Sequence, residues 1–229
     1  MALNKVKPNG NMYQFLTHTW NPIGGKCPHK CSYCSTNKLM RYPEIEKKYS
    51  GEPFIVEKEL LINLGKGNFI FVCGQNDLFA DDIPEEWINR ILDYCKKFDN
   101  QYLFQTKNPQ RYIGLVLPKN SVICTTIETN RYDSEIMGDS PSTFERASAM
   151  NYFRNSDIQK YVTIEPIMDF DMKEMVELIK KCNPTQVNLG GDSGGNNLPE
   201  PTKEKVLELI SELEKFTKIH NKSNLNRFL

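Results

Sequence analysis

The apolar positions of this chain fall into short continuous runs, separated by longer stretches where they recur every three or four residues. Phe69-Ile70-Phe71-Val72-Cys73 is one such run, with Gly65-Lys66-Gly67 before it and Gly74 after it. A segment apolar on both faces suits a strand buried on both sides of a parallel sheet. Gln101 to Thr106, Ser121 to Glu128, Tyr161 to Glu165 and Gln186 to Gly191 also read as strands. Between them the period changes to that of a helix. Trp87, Ile88, Ile91, Leu92, Cys95 and Phe98 share one helical face, and Asp82-Ile83-Pro84-Glu85 has the Asp-x-x-Glu spacing of a capped start. Ser142-x-x-Glu145 opens a helix to about Phe153, Asp171 to Cys182 forms another, and Thr202 to His220 reads as the last.

The flanks are less regular. Met12 to Trp20 reads as a first strand. A short helix follows Cys34 as far as Met40, residues 43–52 read as a polar loop, and Val56 to Leu64 as a helix. Asn108-Pro109 opens a short helix ending near Gly114, and residues 129–141 form a polar loop. The tail, residues 221–229, is polar and expected to fray. Strand then helix, six times over, predicts an α/β chain: a partial (β/α)6 TIM-type barrel of parallel strands with outer helices. A flat doubly wound sheet is the alternative that the pattern leaves open. No Pro-, Gly- or Ser-rich linker divides the chain, so residues 1–229 are expected to form a single domain.

Composition adds bounds. With 39% hydrophobic and 25% charged residues, the chain of 229 reads as an ordinary globular protein. It lacks the apolar N-terminal run of a signal peptide, and its seven cysteines are odd in number. That combination predicts reduced thiols and a cytoplasmic location. The net charge is zero, but residues 1–50 hold eight basic residues against two acidic ones, a surplus of +6 balanced by −6 in the remainder. The surplus surrounds a stretch dense in cysteine, where an anionic centre or an anionic substrate would meet it.

That stretch is the loop 21–35, with Cys27, Cys31 and Cys34 spaced Cys-x3-Cys-x2-Cys. Thiolates select zinc, copper(I) or iron–sulfur clusters. A structural zinc site is closed by four ligands; a cubane held by three cysteines keeps one iron open. Gly24 and Gly25 suit a tight loop bringing backbone amides near cluster sulfides, and Pro28 stiffens the longer gap. A zinc knuckle completed by His18, His29 or a distant cysteine remains the competing reading. Cys73, Cys95, Cys124 and Cys182 are scattered and read as small core residues or surface thiols, with Cys73, at a strand tip, a candidate thiol hydrogen donor.

The Cys27-x3-Cys31-x2-Cys34 spacing, with Tyr33 just before the third cysteine, resembles the signature of the radical S-adenosylmethionine (SAM) superfamily. The resemblance implies a [4Fe-4S] cluster on the three cysteines and an open iron that chelates the amino and carboxylate groups of S-adenosyl-L-methionine. It also implies an electron donor of the flavodoxin or ferredoxin type. The backbone near Tyr33 would lie against the adenine.

Strand tips carry the chemistry in parallel α/β folds. Here they end in Cys73-Gly74-Gln75-Asn76-Asp77, Gln105-Thr106-Lys107, Thr125-Thr126-Ile127-Glu128, Thr163-Ile164-Glu165 and Gly190-Gly191-Asp192. Polar tips are also ordinary turn chemistry. Asp77 and Glu165 stand out, because charge on a buried tip is costly unless used. The resemblance implies that Gly74, Gln75 and Asp77 face the methionyl amine, in place of the more usual Gly-Gly-Glu. It implies Lys107 for the SAM carboxylate, Thr126 and Glu128 for the ribose, and the backbone around Glu165 and Gly190 for the adenine.

Thr19-Trp20-Asn21-Pro22, Gly74 to Phe79, Gln105 to Pro109, Ile164-Glu165-Pro166 and Leu189 to Gly194 resemble, in that order, a compact phage-type radical SAM-like group distantly similar to spore photoproduct lyase. The implied activity is reductive cleavage of SAM to a 5′-deoxyadenosyl radical that abstracts hydrogen from a substrate. A short barrel with an open lower mouth would admit a nucleotide or a nucleic-acid base. A zinc-stabilised ligand-binding module without redox chemistry is the alternative.

Overall fold

A computed structural model describes residues 3–8 and 10–229. Strand β1 (Asn4–Lys5) lies antiparallel to β2 (His18–Trp20). After β2 come β3 (Ile23–Gly24), α1 (Ser35–Leu39), α2 (Pro43–Tyr49) and β4 (Phe54–Ile55), the last pairing antiparallel with β3. The chain then alternates through β5 (Phe69–Val72), α3 (Glu85–Cys95), β6 (Gln101–Thr106), β7 (Ser121–Thr126), α4 (Ser134–Met137), α5 (Thr143–Asn151), β8 (Gln159–Ile164), α6 (Met172–Cys182), β9 (Gln186–Leu189), α7 (Lys203–Glu214) and β10 (Lys218–Asn221). The sheet order is β1-β2-β5-β6-β7-β8-β9-β10, and every pairing from β2 to β10 is parallel.

This is the expected α/β architecture, a partial barrel of parallel strands, with one strand more than the six expected. Alternation along each strand divides two cores. Ile70, Val72, Tyr102, Phe104 and Ile123 pack outward against the helices; Phe71, Leu103, Val122 and Cys124 pack inward. Tyr13 shows the curvature: its ring lies 6.2 Å from Phe71 on β5 and 6.5 Å from His220 on β10, near opposite ends of the sheet. One ring reaches both only if the strands wrap around it.

Six expectations fail here. Only the last three residues of Met12 to Trp20 are strand; Tyr13 and Leu16 fold back as a buried plug with Phe15 against the inner face. The lower interior, expected open, is filled by these side chains. Residues 43–52 include helix α2, started by Pro43 at its first position, and 56–64 form a 3-10 turn, Glu57–Leu61, rather than an α-helix. The last helix ends at Glu214, and the tail does not fray. It forms β10 and the 3-10 helix Ser223–Phe228, burying Leu225 and Phe228. Apolar spacing was too sparse in both segments to reveal their packing.

Local signals are mixed. The Ser142–Glu145 capping box forms, with Ser142 N donating to Glu145 Oε2 at 2.8 Å. Asp82 does not cap α3, whose N-cap is Pro84. Among the described residues no helix is long and apolar enough to cross a membrane.

Candidate functional site

The cysteine loop leaves β2 at the C-terminal edge of the parallel sheet. Asn21 anchors its start: Gln75 N donates to Asn21 Oδ1 at 3.2 Å, and Lys48 Nζ to Asn21 O at 2.8 Å. Gly25 has φ +83°, and a Cβ there would stand 2.2 Å from Glu52 O, so this turn accepts only glycine. Its amide donates to Lys48 O at 2.8 Å, so it is not turned toward the cysteines as expected. Cys31 is buried, whereas Cys27 and Cys34 are partly exposed.

The loop after β7 clamps the cysteines from the other side. Cys31 Sγ donates to Met137 O at 3.2 Å, Ser32 N to Ile136 O at 3.0 Å, and Asp139 N to His29 O at 2.8 Å. Gly138, with φ +65°, lets this clamp close, since a Cβ would lie 2.1 Å from His29 O. Burial pushes the Cys27 thiol up, the Asp77 charge adds to this, and the His29 amide bonded to the thiol pulls it back. Burial also raises Cys31, with Lys107 opposing.

Two groups of candidate residues gather at the strand tips. In the first, Tyr33 Oη donates to Glu128 Oε1, and Lys107 Nζ bonds both of them while sitting 4.7 Å from the centre of the Tyr33 ring. Glu128 is fully buried and pairs through Oε2 with the equally buried Arg146 at 2.8 Å. Burial alone would raise the Glu128 carboxyl; Arg146 and Lys107 outweigh it and hold it down to about 2. Glu128 therefore has no exposed oxygen for a ribose, contrary to expectation. Thr126 is buried as well, accepting from Gln105 Nε2 at 3.3 Å.

Asp77 also differs from its expected role. Its Oδ2 accepts from Thr106 Oγ1 and Lys107 N, both at 2.9 Å, and meets His29 Nε2 at 2.8 Å; Oδ1 accepts from Phe79 N at 2.9 Å. With both oxygens committed, it is not free to meet an amine. Gln75 at the same tip is partly exposed, its Oε1 accepting from Thr36 Oγ1 at 3.2 Å, and Gly74 packs on the Phe71 ring.

The second group surrounds Glu165. Lys222 pairs with its Oε2, while Asn11 and Asn224 donate to Oε1 at 3.1 and 2.8 Å. Gly190 lies against it: a Cβ would come within 2.8 Å of the Glu165 carboxylate. Among the described residues, Asn224 Oδ1 is buried without a partner.

Sequence reasoning missed Arg146, Lys222, Asn224 and the tether on His29. Arg146 had a signal, a cation on the helical face shared with Thr143, Ala147 and Met150. Lys222 and Asn224 had none, since the tail carries no periodicity, and the partner of His29 lies 48 residues away in sequence. Cys73 belongs to the outer core and does not face the interior, whereas Cys124 lies inside, near Gln105 and Thr163.

The donor set can be tested against a metal centre. His18 lies at the start of β2, away from the loop at its other end, and bonds Thr17 through Nδ1. His29 is buried against Asp77. His18 therefore stands away from the cysteine loop, and His29 has its Nε2 taken by Asp77. Among the described residues, no three His, Cys, Asp or Glu side chains converge tightly enough to hold a single metal ion. A cubane takes its thiolates on separate irons and does not require such convergence. The three soft donors fit a cluster of that kind.

Comparison with solved structures shows where this fold recurs. Spore photoproduct lyase with bound AdoMet and dinucleoside spore photoproduct matches over 94% of this chain and 67% of its own, at 12% identity and TM-score 0.55. A variant of that lyase matches over 96% and 81%, at 11% identity and TM-score 0.65. Streptococcus suis SuiB bound to precursor peptide SuiA matches over 93% of this chain, at 10% identity and TM-score 0.50, and this chain spans 50% of its length. At such identities the likeness is one of fold. No curated protein sequence matches the chain. Residues 11–205 match the model of one family, and the chain belongs to it: the family described as protein of unknown function (DUF5131).

Proposed function

We propose that this chain is a radical SAM enzyme of the compact phage-type group, with a [4Fe-4S] cluster on Cys27, Cys31 and Cys34 and SAM bound across the strand tips. One observation carries the reading. The cysteine loop hangs from the first parallel strand, and its Tyr33 bonds directly to Lys107 and Glu128 beyond β6 and β7. The fold shared with a lyase structure holding AdoMet supports it.

When bound and reduced, such a cluster supplies the electron that cleaves SAM to methionine and a 5′-deoxyadenosyl radical, which takes hydrogen from the substrate. The chain's own residues bind, orient and shield. Lys107 is the cation for the SAM carboxylate, and Gly74 and Gln75 take the amine; Asp77 braces the cysteine loop instead. Glu128 and Arg146 hold Tyr33 and Lys107 in place rather than touching the ribose. The backbone around Glu165 and Gly190 lines the adenine side. The plug of Tyr13 and Phe15 closes the lower end, so substrate and SAM share the upper mouth and water is kept out from below. A nucleotide or nucleic-acid base is the substrate class favoured, supported by the lyase structure that holds a dinucleoside. A flavodoxin- or ferredoxin-type protein supplies the electron in a cytoplasmic setting.

Purification without oxygen tests the reading. The expected product is brown, absorbs near about 400 nm and carries about four irons per chain. With dithionite and SAM it yields 5′-deoxyadenosine, and Cys31→Ala removes both iron and cleavage. A colourless protein with one zinc, or cleavage that survives Cys31→Ala, overturns it.

A further inference from the structure

His29 sits inside the Cys27–Cys31 gap, yet it is 4% exposed, and among the described residues it belongs to no group of three His, Cys, Asp or Glu side chains that could hold a metal ion. Its Nε2 meets Asp77 Oδ2 at 2.8 Å. Asp77 is itself fixed by Thr106, Lys107 N and Phe79 N, so a single carboxylate ties the cysteine loop to the β5 and β6 tips. The His29 carbonyl is held as well, by Asp139 N at 2.8 Å. Thus the residue midway between two thiols is pinned by side chain and backbone on opposite sides.

Imidazole is a good ligand for iron and zinc. A free histidine two residues from one candidate thiolate and two from the next would compete for any open coordination position. Resting on the cluster reading above, we propose that Asp77 is a positioning residue: it captures the His29 imidazole, fixes the Cys27–Cys31 arch, and so reserves the fourth coordination position for an exchangeable small molecule. His29 is thereby a withheld ligand rather than a fourth one. The charged partner suits this task. A carboxylate that accepts four hydrogen bonds on a buried tip holds an imidazole more firmly than a backbone carbonyl would.

The tether has a consequence in the protein without metal. A urea double-mutant cycle over His29→Ala and Asp77→Asn is expected to show coupling of about tenfold in the unfolding constant. Additive effects overturn the pairing.

The decisive experiment uses anaerobically reconstituted wild type, Asp77→Asn, His29→Ala and the double variant, probed with SAM. The readouts are iron content and the SAM-induced change in the EPR spectrum of the reduced cluster. Asp77→Asn is expected to keep its iron but need about tenfold more SAM for that change, because the released imidazole competes. His29→Ala in the Asp77→Asn background is expected to restore the wild-type response. An Asp77→Asn protein that responds like wild type, or a double variant that stays impaired, overturns the proposal. If Asp77→Asn does not fold, pulsed EPR of wild type with isotope-labelled histidine decides: no imidazole coupling is expected, and a coupling overturns it. Wild type that takes up no four-iron cluster, or shows no change with SAM, instead removes the enzyme reading beneath.

Discussion

The guanidinium of Arg146 meets the carboxylate of Glu128 at 2.8 Å, and neither side chain has any exposure. Arg146 also donates to Thr126 O at 2.9 Å, Pro141 O at 2.7 Å and Ser140 Oγ at 2.6 Å. Helix α5 is thus bolted to the β7 tip and, through Ser140 and Met137 O, to the clamp on Cys31. Removing Arg146 leaves the buried Glu128 with Lys107 as its remaining cation, so the cost falls at the lower end of the ~3–5 kcal/mol of a broken buried pair. Arg146→Met is therefore expected to lose about that much stability in urea unfolding of the metal-free protein. Adding Glu128→Leu is expected to recover a large part of the loss, because the half-paired carboxylate is gone. Strictly additive losses would show that the pair is not coupled.

The same carboxylate sets a pH dependence. Its folded pKa of about 2 lies below the ordinary 4.5, so the folded state binds its proton more weakly than the unfolded chain. The contribution is present in full above about pH 4.5 and is lost as pH falls toward about 2. The difference amounts to roughly 3 kcal/mol. Urea midpoints of metal-free protein are expected to fall across that window, and Glu128→Gln to flatten the fall. An unchanged slope in the variant would assign the acid sensitivity to other carboxylates.

Tyr13 fills the barrel floor with its ring and closes a polar network with its hydroxyl, 2.9 Å from Gln105 Oε1 and 2.7 Å from Thr163 Oγ1. Its ring stacks on Phe15 at 5.2 Å and lies under Lys222 Nζ at 4.5 Å. Tyr13→Phe is expected to cost about 1 kcal/mol, the net value of the hydrogen bonding. Tyr13→Ala is expected to cost about 3–5 kcal/mol and to open the floor to an apolar dye. A neutral Tyr13→Ala would mean that the plug is not part of the folded core.

What was legible in the chain followed periodicity. Phe69 to Val72 announced a buried strand because both its faces are apolar, and Ser142 with Glu145 announced a helix start because the cap is local chemistry. The cysteine spacing raises the expectation of a soft metal site on similar grounds, as its donors lie close in sequence. Asp77 was recognised as a charge that must be used, but its user, His29, lies 48 residues away and is found only in three dimensions. Met12 to Leu16 is rich in aromatic and apolar residues, as strands are, yet folds as a plug, because the concave sheet offers a cavity that outweighs local β preference. Lys222 looked like a solvated tail cation until β10 placed it beside Glu165.

Iron content is expected to divide the cysteines. Cys27→Ala and Cys34→Ala should fail to retain a cluster. Cys95→Ala and Cys182→Ala, fully buried in the outer core, should retain it and lose about 1 kcal/mol of stability. Iron lost from either core variant at unchanged fold would reassign the ligand set.

The C-terminal segment gives the sharpest contrast between a frayed tail and a structural one. Strand β10 pairs in parallel with β9 over four positions, from Lys218 opposite Gln186 to Asn221 opposite Leu189. Beyond it Leu225 is fully buried and Phe228 nearly so. Lys222 and Asn224 supply two of the partners of Glu165, and Arg227 donates to Asp192 O at 3.2 Å in the loop after β9. Truncation after Thr217 would expose the edge of β9, strip two apolar side chains worth about 2 kcal/mol each from the core, and leave Glu165 without its cation. The truncated chain is expected to be insoluble or molten. Since insolubility can have many origins, Leu225→Ala is the cleaner probe, with an expected loss of about 2–5 kcal/mol in urea unfolding. Full stability in that variant would return the segment to a frayed tail and remove Lys222 and Asn224 from the wall of the site.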